Sequence, residues 1–478
     1  MLLSELSEGA APVEVAALAY DSRAVAPGTL FFCVPGQRSD GHDHAVAAVA
    51  AGASALVVER PLSLGVPELI VPSARRAMAP LAARFYGDPS AALRVLAVTG
   101  TNGKTTTTFL IRSLLEAAGE QCALLGTVKS VIGGIEHEVI RTTPEAIDLQ
   151  ASFAAMRDAG DRACAIEVSS HALALHRADA IHFAAAVFTN LTQDHLDFHA
   201  SMEDYFAAKR GLFEAGPGLA VINADDPYGE RLIADYPDAV TYAIDAPADY
   251  RASDLRSQIA AASFTVQTPD GEIAVRTRLP GRFNVANALA ALVVAHRSGV
   301  SLERIADALA AAAPAPGRFQ ALDEGQPFAV LVDYAHTPDS LENVLRAARA
   351  LAGARVISLF GCGGDRDRGK RPQMGRISAE LADVTLVTSD NPRSEQPESI
   401  IEEILAGAQA DDDHSVEAIV ERRAAIARAI ALARSGDVVV IAGKGHEQGQ
   451  EFADGRKIPF DDIAVAREQL RALQAAVQ

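Results

Sequence analysis

Residues 94–108 read RVLAVTGTNGKTTTT, and the remainder of the chain is best understood from this stretch. Val95-Leu96-Ala97-Val98 is a short apolar run of the kind that forms a buried parallel strand. Gly100 and Gly103 follow, then Lys104 and Thr105, then Phe109-Leu110-Ile111 and Leu114-Leu115 at helical spacing. Strand, glycine turn and helix in that order make a cradle for phosphate. Glycine lets the backbone approach the anion, and N–H groups at the helix N-terminus point at it. Lys104 brings positive charge to a phosphate chain, and Thr105 a hydroxyl that can ligate magnesium. The loop GTNGKT is shorter than the common phosphate-loop spacing, which would need a glycine where Val98 stands. The plainer alternative is a glycine-rich turn with a surface lysine. Strand context, Gly-Lys-Thr and the following threonines favour nucleotide binding.

Outward from this loop, 478 residues are too many for one core, and about 150 residues per domain suggests about three domains. Hydrophobic residues at 49% and charged residues at 22% describe an ordinary globular composition. The opening MLLSELSEGA carries glutamates and no basic region, unlike a secretory signal. The longest uncharged apolar run, Ala45 to Val58, is too short and too rich in alanine to span a bilayer. Cys33, Cys122, Cys164 and Cys362 show no paired spacing, which suits reduced cytoplasmic thiols rather than disulfides or a zinc site. A net charge of −19 argues against non-specific nucleic-acid binding, so an anionic substrate must be held by local basic groups. The expectation is a cytoplasmic monomer with no nucleic-acid or membrane partner.

Residues 1–88 read as a small α/β domain, with strands at Leu30–Val34 and Ala55–Val58 and helices at 43–51 and 74–84. Asp21-Ser22-Arg23 and Gly36-Gln37-Arg38-Ser39-Asp40-Gly41 read as polar turns, and Gly87-Asp88-Pro89-Ser90 as a linker. From 89 to 314 strands and helices alternate, the pattern of a doubly wound parallel sheet covered on both faces. Cys164–Val168 ends in Ser169-Ser170-His171, Phe183–Phe188 in TNLTQDHLD, and Ala220–Ile222 in Asn223-Ala224-Asp225-Asp226. From 315 to 478 the alternation restarts as a second, Rossmann-like domain. Its strands Ala329–Val332, Val356–Phe360, Thr385–Thr388 and Asp437–Ala442 run into DYAH, GCGGDR, SDNPR and GKGHE. Ligands of open α/β sheets sit beyond the carboxyl ends of strands, where these polar clusters collect.

Glu167 and His195 both follow apolar strands in the phosphate-loop domain, and beside a Mg-nucleotide they offer oxygen and nitrogen to a divalent metal. Asp194, Asp197 and His199 compete for that role. Arg366, Arg368, Lys370 and Arg371 form a basic cluster that either recognises carboxylate or phosphate or pairs with Asp365 and Asp367. Arg393 and Glu447 add a cation and an anion at neighbouring strand ends, a combination that can hold a zwitterion.

Taken together, TGTNGKTTT, EVSSHAL, FTNLTQDHLDFH, DYAHTPDSL, FGCGGDRDRGKRPQMG, TSDNPR and AGKGHE resemble the Mur ligase family over residues 21–447. The resemblance implies three domains, binding in turn a UDP-linked substrate (1–88), ATP (89–314) and an incoming amino acid (315–478). Ser22, Gln37, Arg38 and Ser39 would touch the uridine nucleotide, and Thr142, Thr143, Ser169 and Arg177 the muramoyl-dipeptide. Gly100, Thr101, Asn102, Gly103, Lys104, Thr105 and Thr106 would cradle the ATP phosphates, with Asn287, Arg318 and Asp333 completing the nucleotide site. Thr105, Glu167 and His195 would ligate magnesium. Lys209, a surface helix lysine when read alone, matches a lysine that the family carbamylates into a metal ligand. Arg366, Asp390, Asn391, Pro392, Arg393, Gly443 and Glu447 would bind meso-diaminopimelate. Leu175 departs from the family pattern, which often has glutamine there, at a position that the resemblance places against the substrate peptide.

The reaction implied is ATP-dependent ligation of meso-diaminopimelate to the D-glutamate γ-carboxylate of a UDP-N-acetylmuramoyl-dipeptide, a step of peptidoglycan precursor synthesis. L-lysine as the added amino acid, a phosphate-loop phosphotransferase or NTPase, a non-catalytic nucleotide-binding protein and a folate-type glutamate ligase are the alternatives. Arg393 favours diaminopimelate over lysine. A buried guanidinium left unpaired by lysine would discriminate by on the order of 10⁴.

Overall fold

The computed structural model describes residues 1–36, 39–258, 261–408 and 415–477. They form two compact units. One comprises Met1–Thr99, Gly119–Val187 and Ala207–Ala220, the other Gly100–Ala118, Phe188–Phe206 and the chain from Val221 on. The segment 89–314 contributes to both.

The first unit begins with α1 (Leu3–Leu6), β1 (Ala17–Ala19), β2 (Thr29–Phe32), α2 (Ala45–Ala50), β3 (Ala53–Val58), β4 (Glu68–Ile70) and α3 (Ala74–Phe85). The four strands pair in chain order, all parallel. Alternate residues face opposite sides of the sheet. Leu30, Phe32, Ala55 and Val57 therefore pack with Met78 of α3, and Phe31, Leu56 and Val58 with Ala45 and Ala48 of α2. Three-residue β1 and β4 are too short to carry a periodic signal in the sequence. The expected linker at 87–90 is instead a packed turn: Pro89–Ala92 is 3-10 helix, and buried Ser90 accepts a hydrogen bond from the His182 N–H.

Next along the chain are β5 (Arg94–Thr99), α4 (Lys104–Ala117), β6 (Cys122–Leu125), β7 (Ser130–Ile132), β8 (Ile135–His137) and α5 (Ala146–Ala159). Then come β9 (Ala163–Glu167), α6 (Ser170–Ala174), β10 (Phe183–Phe188), α7 (Met202–Glu214), β11 (Ala220–Asn223) and α8 (Pro227–Asp235). This part closes with β12 (Val240–Ala243), β13 (Tyr250–Gln258), β14 (Ala261–Thr268), β15 (Gly271–Thr277), α9 (Arg282–Arg297) and α10 (Leu302–Ala311). In the first unit the strands lie in the order β10-β5-β9-β6-β7-β8, with β5, β9 and β6 parallel. In the second they run β11-β12-β13-β14-β15.

The sheet expected to be purely parallel has two antiparallel extensions, β6-β7-β8 and β13-β14-β15. The turns Gly133-Gly134 and Pro269-Asp270 are far too short for a parallel crossover. Strands β14 and β15 alternate buried and less buried positions, as one-sided antiparallel strands do, so a search for continuous apolar runs passes over them.

The C-terminal part consists of β16 (Gln320–Leu322), β17 (Ala329–Asp333), α11 (Pro338–Leu351), β18 (Val356–Phe360), α12 (Lys370–Leu381), β19 (Val384–Val387) and α13 (Pro397–Leu405). It continues with β20 (Ser415–Ala418), α14 (Arg422–Leu432), β21 (Val438–Ala442), β22 (Gly449–Glu451), β23 (Lys457–Pro459) and α15 (Asp462–Val477). The sheet order is β16-β17-β21-β18-β19-β20, parallel except for β16. Helices α11, α12 and α13 cover one face, α14 and α15 the other. Parallel strands bring their carboxyl ends to one edge, so Asp333, Gly361, Thr388 and Gly443 stand side by side there.

That edge is tied together by an ion pair with no exposure on either side chain, Arg422–Asp462. Arg422 donates through Nε and Nη2 to the two Asp462 oxygens at 2.7 Å each, and also to the carbonyls of Ala442 (2.9 Å) and Ser389 (3.4 Å). Those carbonyls immediately precede the GKGHE and DNPR stretches. Asp462→Ala leaves the guanidinium buried without its counter-charge, and is expected to cost about 3–5 kcal/mol of stability. Chemical denaturation of wild type and variant measures it; a loss below about 1 kcal/mol would contradict this reading.

Candidate active site

Each glycine of the phosphate loop is required by a side chain packed against it. A Cβ on Gly100 (φ +149°) would lie 1.9 Å from Thr189 Oγ1, and one on Gly103 (φ +87°) would lie 2.2 Å from Asn287 Oδ1. Asn287 also accepts from the Thr107 hydroxyl at 3.4 Å. Lys104 Nζ donates to the carbonyls of Gly100 and Thr101, both at 2.8 Å, folding back over the loop. Thr101 Oγ1 lies 3.1 Å from the Tyr205 hydroxyl and receives the Thr192 N–H at 3.0 Å. The Asn102 N–H donates to Asn190 Oδ1 at 2.9 Å, the Asn102 carbonyl receives Thr189 Oγ1 at 2.6 Å, and its side-chain amide donates to Asp339 at 2.7 Å. Thr105 and Thr106 are buried on the first turn of α4. Thr105 Oγ1 accepts from Arg318 Nη2 at 2.9 Å.

Arg318 lies 4.6 Å over the Tyr334 ring, next to Asp333, whose Oδ2 accepts the Phe319 N–H at 2.6 Å. The Tyr334 hydroxyl reaches Glu447 Oε1 at 3.3 Å. Glu447 Oε2 receives Asn391 Nδ2 at 2.8 Å and Lys444 Nζ at 3.0 Å. Asp390 and Asn391 are buried, and Gly443 (φ +112°) lies so close that a Cβ there would meet an Asp390 oxygen at 2.6 Å. Arg393, past Pro392, has φ +51° and donates from Nη1 to the Gly364 carbonyl (2.7 Å) and from Nε to Glu451 (3.2 Å). It lines a cavity of about 360 Å³ with Pro392, Ser394, Phe452 and Arg456.

The basic cluster at 366–371 divides. Arg371 is buried in pairs with Glu395 and Glu403, and Arg368 pairs with Glu403, so both are structural, with different partners from Asp365 and Asp367. Arg366 is exposed, and among the described residues its side chain bonds to the neighbouring Asp365 carbonyl alone. His195 (φ +56°) lies 3.4 Å from the Asp194 carboxylate. Asp197 is exposed, while His199 is buried against Tyr205 with ring centroids 5.0 Å apart.

The first unit gathers another set. Thr143 Oγ1 donates to the Glu167 carbonyl at 2.9 Å, receives the Ser169 N–H at 3.1 Å, and lies 3.3 Å from Ser169 Oγ. Thr142 meets Thr127 hydroxyl to hydroxyl at 3.1 Å, and Thr127 donates from N and Oγ1 to the two Glu167 oxygens at 2.8 and 3.0 Å. Arg177 reaches the Thr143 carbonyl and pairs at 2.9 Å with Glu145, which Arg75 also holds at 3.1 Å. Leu175 caps α6. Ser22 lies in a 3-10 turn, and Ser39 Oγ is 2.8 Å from His44 Nε2. Among the described residues no hydrogen bond joins these serines to the Thr143 set, and Gln37 and Arg38 lie outside those residues.

Lys209 is not on the surface. It is 1% exposed, on the face of α7 shared by Tyr205, Phe206, Leu212 and Phe213. Helical spacing from those aromatics could have revealed this.

Family models trace this architecture along the chain: "Mur ligase family, catalytic domain" over 14–86, "Mur ligase middle domain" over 98–295, and "Mur ligase, glutamate ligase domain" over 317–445. The UDP-N-acetylmuramoyl-L-alanyl-D-glutamate--2,6-diaminopimelate ligase of Syntrophomonas wolfei is 48% identical over 478 residues, 98% of this chain and 97% of that protein. The chain belongs to the Mur ligase family. The ligase of the same name from Streptomyces coelicolor is 46% identical over 96% of this chain and 93% of that protein. A solved structure of a ligase of that name matches with a TM-score of 0.70 and 34% identity over 99% of both chains. A MurF ligase from Thermotoga maritima in complex with ADP shares the fold, with a TM-score of 0.66 and 17% identity over 96% of both chains.

In this Mur ligase several titrations are displaced. Burial raises the Asp333 carboxyl to about 6, with Arg318 opposing. Burial raises Asp194 too, but His195, His336 and Lys370 outweigh it and bring it to about 2. Burial, reinforced by Arg318, His336 and Lys444, lowers His446 to about 3. An unfolded His446 takes a proton below its ordinary 6.5, whereas the folded one resists until about 3, so stability present above pH 6.5 is lost on acidification. Asp333 acts in the opposite sense between about 6 and 3.8. His446→Gln is therefore expected to reduce the fall in Tm between about pH 7 and pH 5. Thermal melts across that range check it, and an unchanged fall would count against it.

Sequence reading missed Thr127, Glu145, Tyr205, Asp339 and Lys444. Each acts by bonding a residue distant in the chain, for which no local signal exists. Among the described residues no helix is long and apolar enough to cross a membrane, and no group of three or more His, Cys, Asp or Glu is arranged to hold a metal. All four cysteines are free and buried.

Proposed function

We propose that this chain uses ATP to join meso-diaminopimelate to the D-glutamate γ-carboxylate of UDP-N-acetylmuramoyl-L-Ala-D-Glu, in peptidoglycan precursor synthesis. The observation that carries the reading is the run of contacts from Thr105 through Arg318 and Tyr334 to Glu447. It links a nucleotide loop to an amino-acid pocket within one compact unit, as a ligase needs and a simple NTPase does not. We assign residues 1–88 to the UDP end of the substrate, 89–314 to ATP and 315–478 to the amino acid.

The γ-phosphoryl group passes from ATP to the carboxylate, giving an acyl phosphate and ADP. The neutral amine of the amino acid then attacks the carbonyl, and the tetrahedral intermediate expels phosphate. Lys104 turns from its loop carbonyls to the phosphate chain and offsets charge on the transferring oxygens. Thr142, Thr143, Ser169 and Arg177 hold the muramoyl-dipeptide, whose carboxylates suit the Arg177 fork. Asp390, Asn391 and Glu447 take an ammonium of the amino acid, and Arg393 its distant carboxylate.

Magnesium fits the oxygen donors present. Glu167 is a fully buried carboxylate, and a carbamate on buried Lys209 would add a second. When bound, the ion neutralises phosphoryl charge. In this reading the enzyme is cytoplasmic, which soluble nucleotide substrates and four free thiols support, and acts as a monomer.

Phosphate release with each substrate omitted in turn tests the function. Release that requires all three of ATP, the UDP-dipeptide and diaminopimelate is expected. Release that persists without an amine acceptor would favour an NTPase.

A further inference from the structure

Lys444 follows Gly443 just past the end of β21, and its side chain is fully buried, with a relative exposure of 0%. Its Nζ lies 2.9 Å from Asn391 Oδ1, 3.0 Å from Glu447 Oε2 and 3.9 Å from Asp390 Oδ1. Asn391 Nδ2 in turn donates to Glu447 Oε2 at 2.8 Å, closing a ring of three side chains. We propose that Lys444 is a positioning residue for the amino-acid pocket: it orients the Asn391 amide and the Glu447 carboxylate to receive an ammonium group, and it sets the pocket's charge. The inference rests on the ligase reading above.

Two physical arguments support it. Asn391 Oδ1 accepts from both Lys444 and the Glu451 N–H (3.0 Å), so the amide can turn only its Nδ2 toward Glu447. Without the ammonium, one of the two contacts holding that orientation is gone. Glu447 Oε2 takes two donors and Oε1 takes the Tyr334 hydroxyl, so of a carboxylate's roughly four acceptor sites about one remains for a ligand. Charge agrees with geometry. Asp390 and Glu447 alone present two negative charges, and Lys444 reduces the surplus to one, which matches a single ammonium.

The test is steady-state kinetics of Lys444→Met and Lys444→Gln, with thermal melts as the control for folding. A positioning role predicts a KM for meso-diaminopimelate raised by on the order of 10–100-fold, the worth of a hydrogen bond to a charged group. The KM values for ATP and the UDP-dipeptide should stay within about twofold of wild type, a split that loss of fold would not produce. An unchanged diaminopimelate KM, or equal losses for all three substrates, overturns the proposal. Methionine keeps nearly the volume, and glutamine keeps a donor one bond short of Nζ, so glutamine decides the matter if the methionine variant does not fold; failure of both to fold assigns Lys444 to stability alone and overturns it too. If the wild type itself shows no diaminopimelate-dependent phosphate release, the ligase reading fails, and that outcome is distinguishable before any variant is made.

Discussion

Lys104→Ala is expected to lower kcat by at least about 10²–10³-fold, the usual consequence of removing one group aimed at developing charge. In the structure the ammonium donates to the Gly100 and Thr101 carbonyls, so the lysine also braces the loop. The fold should survive, because the loop is held independently by Asn190, Thr189 and Asn287 and the side chain is only half-buried. The variant should melt close to wild type and show weakened ATP binding by calorimetry. Phosphate release at the wild-type rate from a folded variant would remove this loop from the mechanism.

Arg393→Ala is expected to abolish most of the preference for meso-diaminopimelate over L-lysine while sparing ATP binding. The two amino acids share one end and differ at the other, where only diaminopimelate carries a second carboxylate. A guanidinium matches that group through parallel N–H···O bonds. The structure reduces the expected magnitude below the 10⁴ anticipated for an unpaired buried cation. Arg393 is 21% exposed and already has Glu451 on Nε and the Gly364 carbonyl on Nη1, so lysine does not strand it. Discrimination of about 10²–10³ in kcat/KM follows, the worth of one or two charged hydrogen bonds. Comparable use of both amino acids by the wild type, or an undiminished preference in Arg393→Ala, would contradict the assignment.

The order of elements around the phosphate loop, and the polar residues that follow each buried strand, are legible along the chain. Both are local properties: apolar runs mark strands, glycines mark turns, and parallel strands carry their C-terminal residues to one edge. Gly103-Lys104-Thr105, Asp333, Asp390-Asn391 and Gly443 were legible for that reason. Tertiary structure alone decided what each side chain meets. The reason Gly100 must be glycine is Thr189, and Lys209 passes from surface residue to fully buried one only when α7 is packed. Arg368 and Arg371 look like an anion site until Glu395 and Glu403 arrive from 24 or more residues away and neutralise them. Lys444 reads as a loop lysine until the ends of β19 and β21 are brought together, and only then does it become the counter-charge of Asp390 and Glu447. Pairing of this kind depends on distance in space, which chain spacing does not encode once separate strands supply the partners.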